Sequence, residues 1–97
     1  MNLTIVIPVK DEQGSIKLLY DEILSSMSRL ENISYEIFFV DDGSKDESWN
    51  VIEQICKNDK KVKGFKFLKN YGKSVALNFC FRKSDSDILI TMDADLQ

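Results

Sequence analysis

The chain has 97 residues, 43% of them hydrophobic, and carries a formal net charge of -3. That length serves one globular core and not two, and the acidic balance excludes the basic face that a nucleic-acid partner demands. The sequence holds no His, so an imidazole base or imidazole metal ligand is excluded, and any metal here must be held through oxygen.

Leu3 to Val9, LTIVIPV, is a β-branched apolar run of the kind that forms a strand buried on both faces. It is too short to span a bilayer, and neither a basic flank nor a small-residue cleavage site marks it as a leader. The expected compartment is soluble and reducing, the cytoplasm. Ser15 then stands where a helix cap belongs, before Ile16, Leu19, Tyr20, Ile23, Met27 and Leu30 at helical spacing.

Glu36 to Asp42, EIFFVDD, predicts a second strand. Ser44 with Glu47 reads as a capping box for a second helix, with Trp49, Ile52, Ile55 and Cys56 inward. Val62 to Leu68 predicts a third strand mixed with lysines; a short apolar helix holding Val75, Leu77, Phe79 and Cys80 follows the loop KNYGKS. Asp87 to Asp93, DILITMD, predicts a fourth strand. Cys56 and Cys80 lack metal-ligand or C-x-x-C spacing and read as small buried hydrophobes.

Strands alternating with helices of this length predict an α/β, doubly wound, mainly parallel sheet as a single domain. In such a sheet, ligands bind beyond the carboxyl ends of the strands. The segments there are PVKDEQGS, VDDGSKDES, KNYGKS and DADLQ, and they gather acids and small polar residues at one edge. Asp and Gly serve turns anyway, which accounts for any one of these loops better than for four together. Asp93 and Asp95 fall one residue apart, project to the same side of an extended chain, and repel unless a proton or cation lies between them. An all-oxygen pair suits Mg²⁺ or Mn²⁺.

VIPVKDE, VDDGSKDES, the N-x-G-K of KNYGKS, and MDADLQ, in this order, resemble the nucleotide-binding half of the GT-A glycosyltransferases over the whole chain. The likeness is greatest to the polyprenyl-phosphate sugar transferases, the group of dolichol-phosphate mannose synthase and the bactoprenol glucosyltransferases. The resemblance implies a Rossmann-like half with strand order 3-2-1-4 and a nucleotide-diphosphate sugar, UDP- or GDP-linked, as donor. It also implies a divalent metal, Mg²⁺ or Mn²⁺, and an acceptor such as polyprenyl phosphate or a glycan. By motif position, Asp42 accepts from the nucleobase with Asp41 in support, and Pro8, Val9 and Glu12 line the base pocket. Asn70, Gly72 and Lys73 face phosphate, and Asp93, Asp95 and Gln97 are the metal-side residues, Asp93 also touching the nucleotide. Lys10 departs from an aromatic common in the group; a lysine reaches a base edge or phosphate but does not stack in that way, which leaves the base open.

The family's acceptor half and its catalytic carboxylate have no counterpart in residues 1–97, so the resemblance implies the donor-binding part of a longer transferase, inactive alone, with peripheral membrane association of the full-length protein. A stand-alone nucleotide-binding module without catalysis remains open. A phospho-acceptor receiver domain fits poorly, because the acidic pair follows the second strand and nothing acidic ends the third. The lysines at 57, 60, 61, 63, 66 and 69 read as protection of an edge strand before they read as a membrane contact. The apolar fourth strand predicts an open edge and self-association through it.

Overall fold

A computed structural model describes residues 1–94. The elements alternate as β1 (Asn2–Val9), α1 (Ile16–Met27), β2 (Ser34–Asp42), α2 (Ser48–Asn58), β3 (Val62–Phe67), α3 (Lys73–Lys83) and β4 (Ile88–Thr91). All four strands are parallel and lie in the order β3-β2-β1-β4, the 3-2-1-4 arrangement expected. Val9 pairs with Asp41, and Asp42 with Phe67, so the first three strands finish at a common edge.

Strand side chains alternate between faces, and this divides the core in two. Leu3, Ile5, Ile7, Val9, Ile37 and Phe39 point to one side, where α1 and α2 cover them with Ile16, Leu19, Ile23, Ile52 and Ile55. Val6, Phe38 and Val40 point to the other and meet Ala76 and Cys80 of α3. Helices therefore cover both faces, which is why the central strands read as continuous apolar runs. On the α3 side Phe65 packs edge-on against Phe38 and Phe79, with ring centroids 5.3 and 5.1 Å apart, the geometry that aromatic quadrupoles favour. Thr4 is the buried polar residue of β1; its hydroxyl meets those of Ser84 at 2.8 Å and Ser86 at 2.5 Å.

Several helix assignments change. Leu30 lies beyond the end of α1 and is 49% exposed, because the chain turns away after Ser28. Val75 is 47% exposed while Ala76 and Cys80 are fully buried: residues four apart share a helical face, and Val75 stands on a different one. Ser15 occupies the N-cap position of α1 but makes no side-chain cap bond. The Ser44/Glu47 capping box does not form, since α2 begins only at Ser48 with Glu47 as N-cap. Asp46 bonds the Ser48 N–H at 2.9 Å instead, and Ser44 is drawn to the neighbouring loop. Strand β4 is shorter than expected because it pairs with β1 only from Leu3 to Val6.

The edge lysines of β3 have partners. Lys63 lies over the ring of Phe38 at 5.8 Å and Lys66 over that of Trp49 at 5.9 Å, so each covers an aromatic face while its charge protects the strand edge.

The two helices on the first face are linked at depth by Tyr20, whose hydroxyl donates to Asp59 at 2.7 Å. Burial pushes the Asp59 carboxyl up, but the bond from Tyr20, the Lys61 N–H and the Lys61 ammonium outweigh it, and the net position is below the ordinary 3.8. A depressed carboxyl contributes stability above its unfolded value and loses it as pH falls through the folded one. Tyr20→Phe is expected to cost about 1 kcal/mol at pH 7, with the deficit shrinking as the solution is acidified below pH 3.8. Urea melts of both proteins across that range check it; a deficit that does not change with pH overturns the assignment.

Candidate functional site

The carboxyl edge of the sheet holds an open cavity of about 360 Å³. Its lining joins all four expected segments: Pro8 and Val9 at the end of β1 with Lys10 and Glu12 beyond it, Asp42 at the end of β2, Asn70 and Gly72 before α3 with Lys73 as its first residue, and Asp93 and Ala94 after β4. Every sequence-predicted site residue within the described part of the chain, apart from Asp41, lines it. Asp95 and Gln97 lie outside the described residues. Larger grooves flank β3, but the one lined by Phe67, Tyr71, Val75, Asn78, Phe79 and Arg82 contains no carboxylate.

Alternation on β2 separates the acidic pair. Asp42 continues the Phe38 and Val40 face, whereas Asp41 continues that of Ile37 and Phe39. Asp41 is fully buried; one oxygen accepts the Ser44 N–H at 2.9 Å, and the other has no partner among the described residues. Its place is beneath the pocket, holding the turn that follows Asp42. Asp42 is committed to a loop: its Oδ1 accepts the Tyr71 N–H at 2.7 Å and its Oδ2 the Gly72 N–H at 2.9 Å. A carboxylate offers about four lone-pair sites, so the same oxygens retain capacity for a ligand donor.

Gly43 lets the loop come this close. Its φ is +75°, and a Cβ there would lie 2.6 Å from the Lys69 carbonyl carbon and 2.7 Å from the Asn70 nitrogen. The Gly43 carbonyl in turn accepts from the Lys10 ammonium at 2.8 Å, which ties Lys10 along the pocket wall. A second ammonium, that of Lys73, donates to Asp93 Oδ1 at 2.6 Å.

Sequence reasoning missed a reciprocal clamp between the loops after β1 and β2. Asp11, at a φ of 52°, accepts the Lys45 N–H through Oδ1 at 2.7 Å, and Ser44 Oγ accepts the Asp11 N–H at 2.9 Å. Ser48 Oγ accepts from Glu12 N–H at 2.9 Å, Asp46 Oδ2 from Gln13 N–H at 3.2 Å, and Gln13 Oε1 from Glu47 N–H at 2.8 Å. The two backbone N–H groups on its carboxylate, set against burial and Asp46, leave Asp11 below its ordinary range, with the Lys45 bond the largest influence. The available signal was the run of short polar side chains in both loops, residues that bond neighbouring backbone and tolerate positive φ.

Among the described residues no three His, Cys, Asp or Glu side chains converge as a ready metal cage. Asp93 supplies one pocket carboxylate that a hard cation accepts; Mg²⁺ is commonly held by one or two carboxylates together with substrate phosphates, so the donor chemistry fits such an ion as a partial ligand set.

The family model described as Glycosyl transferase family 2 matches residues 4–97. The chain is 38% identical over 96 residues to an undecaprenyl-phosphate 4-deoxy-4-formamido-L-arabinose transferase of Proteus mirabilis, covering 98% of this chain and 29% of that relative. The fold is similar to that of the mannosyltransferase PcManGT from Pyrobaculum calidifontis in complex with GDP-Man and Mn²⁺, with a TM-score of 0.83 and 22% identity over 96% of this chain and 27% of that one. It is also similar to S. aureus TarS 1-349 in complex with UDP-GlcNAc, at a TM-score of 0.77 and 19% identity over 98% of this chain and 27% of that one. The chain thus spans under a third of the length of these proteins.

Gly43→Ala is expected to destabilise the fold by about 1–3 kcal/mol through its left-handed conformation alone, with the loop contact adding to it. Asp42→Asn is expected to speed amide exchange at Tyr71 and Gly72 while leaving the β1–β2 ladder protected. Hydrogen exchange of both variants checks the assignment, and unchanged protection at Tyr71 and Gly72 in Asp42→Asn sinks it.

Proposed function

The chain belongs to glycosyl transferase family 2, and from that membership and the make-up of its pocket we propose that it forms the donor-binding part of a glycosyltransferase. The donor is a nucleoside-diphosphate sugar, UDP- or GDP-linked, and the sugar passes to an acceptor such as polyprenyl phosphate or a glycan. One observation carries this reading: a single pocket at the carboxyl edge joins Asp42, the N-terminus of α3, Lys73 and Asp93. The bound GDP-Man of one structural neighbour, the UDP-GlcNAc of another and the undecaprenyl phosphate of the Proteus relative's name support it.

In this reading Pro8 and Val9 give the base an apolar floor, and Glu12 and Asp42 accept from its edge. Lys10, held by the Gly43 carbonyl, lays its stem where an aromatic would stack and brings its charge beside the nucleotide. Asn70 and Gly72 shape the approach to α3, whose first N–H groups lack intrahelical partners and favour phosphate. Asp93, with Asp95 and Gln97, is the proposed holder of Mg²⁺ or Mn²⁺. A bound divalent cation would neutralise charge developing on the diphosphate leaving group.

Among the described residues no helix is long and apolar enough to cross a membrane. We place the full-length protein at the cytoplasmic face, where a polyprenyl-phosphate acceptor would require peripheral membrane contact. The outer edge of β4 carries Ile88 and Ile90, 41% and 43% exposed, and we propose that the 97-residue chain self-associates along it. A strictly monomeric sedimentation profile at high concentration overturns that part.

Calorimetric titration with UDP and GDP, with and without Mn²⁺, tests the donor site. Expected is metal-dependent binding of one nucleotide, weakened at least about tenfold, or 1.4 kcal/mol, by Asp93→Asn. Absence of binding by both nucleotides in the presence of Mn²⁺ overturns it.

A further inference from the structure

Two ammonium groups line the pocket, and their situations differ. Lys10 donates to the neutral carbonyl of Gly43 at 2.8 Å, with Asp11 Oδ2 farther off at 3.7 Å, and Asp11 lies outside the pocket lining, so Lys10 can stay there when a ligand arrives. Lys73 donates to Asp93 Oδ1 at 2.6 Å, and its side chain and that of Asp93 are 61% and 65% exposed. An exposed pair of this kind is held weakly. Lys73 is also the first residue of α3, where the positive end of the helix dipole disfavours a cation. The helix therefore gives Lys73 no reason to stay once a better anion is near.

Asp93 meets the complementary situation. The oxygens of Asp42, the pocket's other aspartate, are engaged by backbone N–H groups of Tyr71 and Gly72, contacts that hold the loop. Asp93 is engaged by a side chain that can swing away. A divalent cation approaching Asp93 Oδ1 and the Lys73 ammonium compete for the same oxygen.

Resting on the donor-site reading above, we propose that Lys73 is a resident counter-ion that makes metal and nucleotide binding cooperative. The diphosphate draws the ammonium off Asp93, and the carboxylate so released accepts the cation. Metal arriving alone must displace Lys73; metal arriving with a nucleotide finds it already engaged elsewhere. Linkage makes the effect reciprocal, so bound metal raises nucleotide affinity by the same factor.

The test is titration of Mn²⁺, followed by the electron paramagnetic resonance signal of the free ion, into the wild-type chain, Lys73→Met, Lys73→Arg, Asp93→Asn and Asp93→Asn/Lys73→Met, each with and without UDP or GDP. Removal of the charge is expected to tighten Mn²⁺ binding without nucleotide by about two- to fivefold, the range of an exposed pair. The enhancement of Mn²⁺ affinity by nucleotide should fall by a similar factor. Lys73→Arg should behave as wild type, and in the Asp93→Asn background Lys73→Met should have no effect on Mn²⁺. These signs oppose a merely structural role, which would weaken both ligands together; thermal melts confirm that each variant folds. Mn²⁺ affinity that is unchanged or weaker in Lys73→Met, including no measurable binding by any variant, overturns the counter-ion role. If wild type binds nucleotide with Mn²⁺ while that result holds, the donor site stands without the coupling; if wild type binds neither UDP nor GDP with Mn²⁺, the donor-site reading itself fails and the coupling with it.

Discussion

The bidentate hold of Asp42 on the Tyr71 and Gly72 N–H groups is the contact on which the pocket depends. It joins the end of a central strand to the loop that starts α3, and so sets where that helix begins and where its N-terminus points. Charge-assisted bonds of this type are short and strong compared with neutral ones, and the loop has little else at its tip: Leu68 is 89% exposed. Gly43 completes the arrangement by removing the side chain that would keep the loop away. Strand end, glycine and loop act as one unit, in which each member's residue type follows from the approach of the others.

The opposite wall of the pocket is built on the same plan with different atoms. The loops after β1 and β2 exchange bonds in both directions, Asp11 to Lys45 N–H and Ser44 to Asp11 N–H, so neither can move without unsatisfying the other. Backbone groups that leave a strand end have no ladder partner and need one. Here short polar side chains of the neighbouring loop supply it to Asp11, Glu12 and Gln13, and the segment after β1 is held as a result.

The sheet was legible because its strands are buried on both faces and read as apolar runs long enough to outweigh local ambiguity; the order 3-2-1-4 came from the resemblance. The gathering of Lys10, Glu12, Asp42, Asn70, Lys73 and Asp93 was legible too, since topology sends all carboxyl-end loops to one edge. What remained hidden was decided by partners distant in sequence. Ser44 and Glu47 satisfied the local pattern of a capping box, yet Ser44 Oγ accepts the Asp11 N–H and the helix starts only at Ser48. Val75 and Ala76 differ by one position and a methyl-rich side chain, and hydrophobicity favours the wrong one; only the packing of α3 against Val6 and Phe38 makes Ala76 the inward residue.

Asp41 and Asp42 show how far one residue's step along a strand changes a carboxylate's use. The pleat sends Asp42 to the pocket and Asp41 into the interior, where a single bond to Ser44 N–H anchors the turn. Burying a carboxylate there carries a desolvation cost, and a neutral Asn would hold the same turn through its carbonyl oxygen with less of it. The acidic pair thus divides its work by the pleat, with Asp42 holding the loop before α3 and Asp41 holding the turn after β2.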